Sequence, residues 1–470
     1  MVAPNPQVEM SSAFREFVSR NGYYPNIQEF SNFQSRFLNV AARKPRIHNG
    51  NLITLKKVMD VTRYSLEPAT SGIPRVVRQL VKQSLSLGIN LAIWHKGRLV
   101  PVSCDSNGEV LYPPEHWKRA PRTWSPQKYF IKLMRYPAGF ALLGLIFRFS
   151  IIRRLGNLFL RLTKRFTIGS ARSLIELSGL QYFLPEVPSA DTAERLFVAL
   201  QNHENLEITA LGHDLLPVSH PHHFDRESTS EFLVYLQLVA RARSLVVGSP
   251  VLGGQVELFL SALGFVERAD ISVHDLPVNI PELTFTTTSR TNHNEKTALF
   301  IGAFQSRKGL AGVAELFSQG QVGDLVLSVV GIPKPTDALE MQLFRRVRGY
   351  ANVKLLGNLP DEDLAREMSK AEVIVYLSGA EGYGLPIIEG LAAGKPVVCL
   401  DTPINNFFNQ KYGGLFLVPH VNGRYSNTDL HEALISSQVE PFERPTNLPV
   451  DEISWARNVF SNVFTDSKES

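Results

Sequence analysis

From residue 52 onward, short apolar runs alternate with longer stretches in which apolar positions recur every three or four residues. "ITLKKVMDV" (53–61) reads as a strand, "SGIPRVVRQLVKQSLSLG" (71–88) as a helix with its apolar face starting at Ile73, and "INLAIWH" (89–95) as a second strand. Such a β-α-β start predicts a parallel sheet, because parallel neighbours need a long crossover between them. The rhythm breaks over about 116–175 and resumes near Gln181. Strands are expected there in "ERLFVAL", "LEITALGHD", "SLVVGS" and "ISVHDLPV", with helices over about 228–243 and 253–263. "NIPELTFTTTSRTNHNEKT" (279–297) has no period and reads as a linker. A second alternation follows, with strands in "ALFIGAF", "DLVLSVVG", "NVKLLG", "AEVIVYLS", "PVVCL" and "GLFLVP" and helices near 309–318, 336–349, 360–369, 384–393 and 427–436. "DEISWARNVFSNVF" (451–464) reads as an amphipathic terminal helix.

Two strand-helix alternations joined by a linker predict an α/β protein of two doubly wound, Rossmann-like domains. A chain of 470 residues is also too long for one hydrophobic core. The expected organisation is an extension over 1–48, a first domain over 49–280, a second over 281–440, and a helix and tail over 441–470. The first domain carries an insertion at about 116–175.

That insertion changes the charge picture. It holds thirteen lysines and arginines and no acid, more than the whole net charge of +5, so the rest of the chain is net acidic. Residues 137–147 are an uncharged apolar run, too short to span a bilayer. "FRFSIIRRLGNLFLRLTKRF" then interleaves cations with Phe, Leu and Ile, as an interfacial helix does. The alternatives are an insertion packed on the first domain and a nucleic-acid surface, for which no known module is visible. Membrane-surface docking is the expectation, with no nucleic-acid partner. Cys104 and Cys399 are the only cysteines and provide no disulfide framework. No apolar leader is visible in the first thirty residues, so a cytoplasmic protein, peripheral on the inner face of the cytoplasmic membrane, is expected.

The candidate chemistry lies at a strand end. In "GAEGYGLPIIEG" (379–390), Gly382 and Gly384 permit close backbone approach, and Pro386 sits where a helix would begin. Unpaired N–H groups at that start would favour a phosphate. Glu381 precedes the turn and Glu389 lies within the helix, so the two carboxylates can meet different parts of one ligand. The plainer alternative is a capped turn with a solvated Glu389. His213 is either a structural histidine at a strand end or a ligand contact. The run containing His220, His222 and His223 lacks the spacing of a zinc site. "GLAAGKP" lacks the spacing of a phosphate-binding P-loop, and no dinucleotide fingerprint follows a strand.

The 379–390 stretch resembles the E-x7-E motif of retaining nucleotide-sugar glycosyltransferases of the GT-B fold, family 4 in particular, similar to mannosyl- and rhamnosyltransferases of surface polysaccharides. Glu381, Gly382, Tyr383, Gly384, Leu385, Pro386 and Glu389 fill the motif, followed by Gly394, Pro396 and Val397. "LFIGAFQSRKGL" resembles the family's first donor-domain strand, "SGIPRVVRQLV" its acceptor-side glycine loop, and "LGHDLLP" its H-D-x-x-P motif. The resemblance implies a GT-B fold, two Rossmann-like domains facing each other across a cleft. It implies that Glu389 binds the nucleotide ribose and Glu381 the transferred sugar. Backbone N–H groups from Gly382 to Leu385 would surround sugar and diphosphate, Lys308 would neutralise the diphosphate, and His213 would line the sugar opposite. Gly302 and Arg307 complete the donor side, and Gly72, Ile73 and Arg75 the acceptor side. One position departs: Ala303 follows Gly302 where the family usually has arginine, and Arg307 is the nearby cation.

The implied function is sugar transfer from a nucleotide diphosphate sugar, GDP-mannose first, to a saccharide or lipid-linked acceptor, without a bound metal or other cofactor. The alternative is a non-catalytic GT-B homologue that binds a glycan or scaffolds an assembly.

Overall fold

The computed structural model describes residues 51–66, 72–95, 98–111, 173–203, 205–224, 226–262, 269–278, 295–421 and 423–464. The expectations for 1–48, for nearly all of the basic insertion and for most of the linker lie outside these residues. The first domain contains strands β1 (Asn51–Ile53), β2 (Lys57–Asp60), β3 (Asn90–His95), β4 (Arg98–Cys104), β5 (Val110–Leu111), β6 (Ser173–Ile175), β7 (Gln181–Leu184), β8 (Glu207–Gly212), β9 (Ser244–Val247) and β10 (Asp270–Val273). Eight of them form one sheet in the order β10-β9-β8-β7-β2-β3-β4-β5, and β1 pairs with β6. The sheet is parallel from β10 to β3, while β4 and β5 extend it as antiparallel strands.

The second domain contains β11 (Lys296–Ile301), β12 (Leu325–Val330), β13 (Val353–Gly357), β14 (Val373–Tyr376), β15 (Val397–Leu400) and β16 (Leu415–Val418). Its order is β13-β12-β11-β14-β15-β16, parallel throughout, the doubly wound order of a dinucleotide-binding domain. All four residues of β14 and of β15 are buried, as expected of strands covered by helices on both faces. In each sheet the strand order reverses at one point, between β2 and β7 in the first and between β11 and β14 in the second. Ligands of open α/β sheets bind outside the carboxyl ends at such points.

One sequence expectation is corrected. "ERLFVAL" is helical, within Ala190–Asn202. Ser189 caps it through a hydrogen bond from the Thr192 N–H, and Ala193, Leu196 and Phe197 are all buried, a spacing of three and four that serves a helix face. The strand that belongs there is the shorter β7. The helix Pro403–Tyr412 had no sequence expectation; Thr402 caps it and proline occupies its first position.

The domains meet through apolar packing. A single buried cluster joins Met59, Val76 and Leu80 of the first domain to Tyr383, Ile387 and Leu391 of the second and to Trp455 and Phe460 of the terminal helix Glu452–Val463. That helix follows the second domain in sequence yet lies against the first, where Phe460 and Phe464 both pack edge-on against Phe183 with centroids 6.1 and 6.3 Å away. The Val278 N–H donates to the Pro449 carbonyl at 2.8 Å, tying the end of the first domain to this return segment.

Candidate functional site

At the switch point of the second sheet, β14 ends at Tyr376 and the chain turns through Ser378, Glu381 and Gly384 before the helix Leu385–Ala392. Gly384 has φ 84° and supplies no capping side chain, so a residue with a Cβ would be strained there. The loop after β11 approaches from the neighbouring strand. Gly309, at φ 78°, lies so close to Leu377 that a Cβ would come within 2.8 Å of its carbonyl oxygen. This contact delivers Arg307 and Lys308 to Glu381.

Glu381 Oε1 accepts from Arg307 Nη1 at 2.8 Å, from Ser378 Oγ at 2.5 Å and from Lys308 Nζ. Arg307 Nη1 also donates to the Ala380 carbonyl at 3.0 Å, and Lys308 Nζ to Tyr376 Oη at 3.1 Å. Burial pushes the Glu381 carboxyl up, but Lys308, Arg307 and the hydrogen bonds outweigh it and hold the group below the usual carboxylate range. Burial lowers the Lys308 ammonium, opposed by Glu381. Two cations converge on one carboxylate here, and Asp214 of the first domain is near enough to interact with all three groups.

Glu389 lies on the helix, 3% exposed, and is paired with Arg75 from the first domain. Arg75 is itself buried, and Asp361 Oδ1 stands 3.8 Å from its Nη1. Its pKa is lowered by burial, with Asp361 opposing. Gly72, at φ 66°, and Ile73 form the entry to the helix Ile73–Ser84 that carries Arg75. One expected acceptor-side residue and one expected ribose ligand therefore meet each other across the domains.

The turn between the glutamates is pressed against the first domain. A Cβ on Gly382 would lie 1.8 Å from the His213 carbonyl oxygen and 2.6 Å from Asp214 Cβ. The Tyr383 ring runs against Gly248 and Leu276 and packs on Phe408, centroids 4.9 Å apart. Its side chain belongs to the interdomain core, so only its backbone remains for a ligand. Gly302 directly follows β11, its N–H bonded to the Val330 carbonyl at 3.0 Å, and a Cβ on Gly331 would lie 2.0 Å from its oxygen.

His213 follows β8, is 8% exposed and has Nε2 2.6 Å from the Pro185 carbonyl. A carbonyl only accepts, so Nε2 carries the proton. Burial lowers the pKa to about 4, with the Pro185 bond opposing, so the ring is neutral at pH 7 with Nδ1 as an acceptor. Asp214 is raised by burial, and its interaction with Glu381 acts in the same direction. Sequence reasoning did not single out Asp214, Ser378 or Tyr376. Asp214 stood in the quoted "LGHDLLP", but its nearness to Glu381 depends on domain docking. Among the described residues no three His, Cys, Asp or Glu side chains are placed to hold a metal ion, and no helix is long and apolar enough to cross a membrane.

Residues 285–434 match the family profile described as Glycosyl transferases group 1. The match takes in about a third of the chain and nearly all of the second domain. Within the matched residues lie both glutamates, Arg307, Lys308 and the turn between them. The chain is 36% identical over 107 residues to O-antigen chain mannosyltransferase B of Escherichia coli, a match covering 22% of this chain and 28% of that protein. It is 33% identical over 116 residues to the phosphatidyl-myo-inositol mannosyltransferase of Mycobacterium leprae, covering 23% and 28%. These matches span under a third of each relative's length. Sucrose-phosphate synthase of Thermosynechococcus elongatus superposes with a TM-score of 0.51 at 17% identity, covering 88% of this chain and 96% of that one. The two domains thus share the GT-B fold.

Proposed function

We propose that the protein is a retaining glycosyltransferase that moves a hexose, mannose from GDP-mannose first, to a saccharide or lipid-linked acceptor. The observation that carries this reading is the cluster of Arg307 and Lys308 on Glu381 at the switch point of the transferase domain. In the reaction the anomeric carbon–phosphate oxygen bond breaks and a bond to the acceptor oxygen forms. Negative charge grows on the leaving diphosphate while the sugar gains oxocarbenium character. Lys308 and Arg307 supply the positive charge for the first of these. Glu381, ionised below the usual range, orients sugar hydroxyls, and the leaving phosphate oxygen takes the acceptor proton. Neutral His213 offers Nδ1 to the sugar from the opposite side. Arg307 takes the part of the arginine absent at Ala303.

The relatives named as mannosyltransferases support mannose as the first donor sugar to test. A thermal-shift panel of GDP-, UDP- and dTDP-sugars with EDTA present separates the donors. The matching one at a hundredfold its dissociation constant stabilises by about 2.7 kcal/mol. A response that needs added divalent metal would overturn the metal-free reading, and a larger UDP-sugar response would overturn the choice of GDP.

We infer that the reaction runs at the inner face of the cytoplasmic membrane, with docking through residues 116–175, a segment that contains thirteen lysines and arginines and no acid. Flotation with anionic but not neutral vesicles is expected; equal binding to both, or to neither, contradicts it.

A further inference from the structure

Outside the glutamate cluster, the first sheet has a cavity of about 220 Å³ at the carboxyl ends of β2 and β7, its own switch point. At ~30 Å³ per water this holds about seven waters, on the order of one pyranose ring. The wall combines apolar surface from Leu66, Leu184 and Pro188 with a fixed set of polar groups. Asp60, 4% exposed, accepts from the Thr62 N–H at 2.7 Å and from Tyr182 Oη, and Trp94 Nε1 braces Tyr182 Oη at 2.8 Å. Glu186, 6% exposed, and Glu231 add two carboxylates, while Ser189 and Thr192 add hydroxyls from the start of the helix Ala190–Asn202.

Charge decides what fits. Among the described residues Arg63 is the one cation of the lining, and its Nη1 is already tied to the Val187 carbonyl at 2.9 Å. Burial raises the Asp60 carboxyl. Even with Asp60 counted as neutral, Glu186 and Glu231 outnumber Arg63. A phosphate or carboxylate entering here meets like charge without a desolvating cation. Among the described residues no aromatic ring lines the space, so they offer a nucleobase no stacking surface. Ionised carboxylates only accept hydrogen bonds, and adjacent hydroxyls of a sugar ring are the donors that match them.

Position links the cavity to the transferase site. Glu186 follows Pro185, whose carbonyl holds His213, and the His213 carbonyl is what Gly382 packs against. A sugar in the cavity is thus separated from His213 by one stretch of backbone.

We propose that this cavity is a subsite for an uncharged sugar unit of the acceptor, held through its hydroxyls by Glu186 and Glu231, and that its carboxylates reject phosphorylated acceptors. The substrate class rests on the transferase reading above. The test compares kcat/KM for a neutral mannobiose glycoside and for the same glycoside bearing a 6-phosphate, in wild type, Glu186→Gln and Glu231→Gln. Wild type favours the neutral acceptor, and each substitution lowers that preference at least about tenfold, a change of ~1.4 kcal/mol. Equal use of both acceptors by wild type, or a preference unmoved in both variants, overturns the proposal. Melting temperatures guard against misfolding, and Glu231, only partly buried, is the variant expected to fold unaltered. If no donor is turned over, the transferase reading fails on its own. The cavity is then decided by saturation-transfer NMR of the neutral glycoside: a signal lost in Glu186→Gln supports it, and a signal absent in wild type or unchanged in both variants overturns it.

Discussion

His213 shows how one buried side chain couples stability to pH. Its folded pKa is lowered from 6.5 to about 4, chiefly by burial. Between those values the unfolded chain binds a proton that the folded chain refuses, so the contribution is full above pH 6.5 and is lost as pH falls toward 4. A difference of that size amounts to about 3 kcal/mol. His213→Gln keeps a donor for the Pro185 carbonyl and removes the titration. The stability of wild type, followed by urea unfolding, is expected to fall more steeply than that of the variant between pH 6.5 and 4. Parallel curves would contradict the buried neutral histidine. At the same scale, the sequence displayed Glu381, Lys308 and Arg307 as residues, but not their convergence on one oxygen. That depends on Gly309 docking against Leu377, a contact between segments nearly seventy positions apart.

Among elements, the second domain was readable almost throughout, because helices of eight to thirteen residues alternate with short, largely apolar strands. The first domain was harder. "ERLFVAL" has strand-like composition, and only the Ser189 cap and the spacing of Ala193, Leu196 and Phe197 separate the two assignments. β4 and β5 were missed because an antiparallel extension of a parallel sheet has no helical crossover to announce it. The glycine turn was visible as a motif, yet the reason for one of its glycines was not. Gly382 is small because the His213 carbonyl occupies the space where a Cβ would be. Gly382→Ala should therefore hinder docking of the two domains without disturbing either sheet. A loss of about hundredfold in kcat/KM is expected, the cost of a displacement near 1 Å at a reacting centre, with little change in melting temperature. Retained activity, or a large loss of stability in its place, would contradict the tight interdomain fit.

In the whole molecule, the contacts that join the two domains include the Arg75–Glu389 pair, the Gly382 turn, and the terminal helix returning to Phe183. None of these is readable from local pattern, since each pairs segments from opposite ends of the chain. Arg75 occupies the carboxylate expected to hold the donor ribose, so donor entry requires that pair to loosen. Arg75→Met leaves Glu389 as an uncompensated buried charge, which costs about 3–5 kcal/mol if the domains stay docked. Opening to solvate Glu389 is the cheaper response. A larger radius of gyration in small-angle scattering is expected for the variant, with both domains folded. An unchanged radius with a lowered melting temperature would show that the pair does not hold the cleft.

The central claim is sugar transfer at the Arg307–Lys308–Glu381 cluster with retention at the anomeric carbon. Its most direct test is NMR of the product formed from GDP-α-mannose and a neutral saccharide acceptor by wild type and by Glu381→Ala. The account predicts an α-linked product from wild type and a rate lower by about 10²–10³ in the variant, assayed below its melting temperature, the usual cost of removing a group that stabilises a transition state. A β-linked product, a variant as active as wild type, or tight donor binding with no turnover by wild type would contradict it.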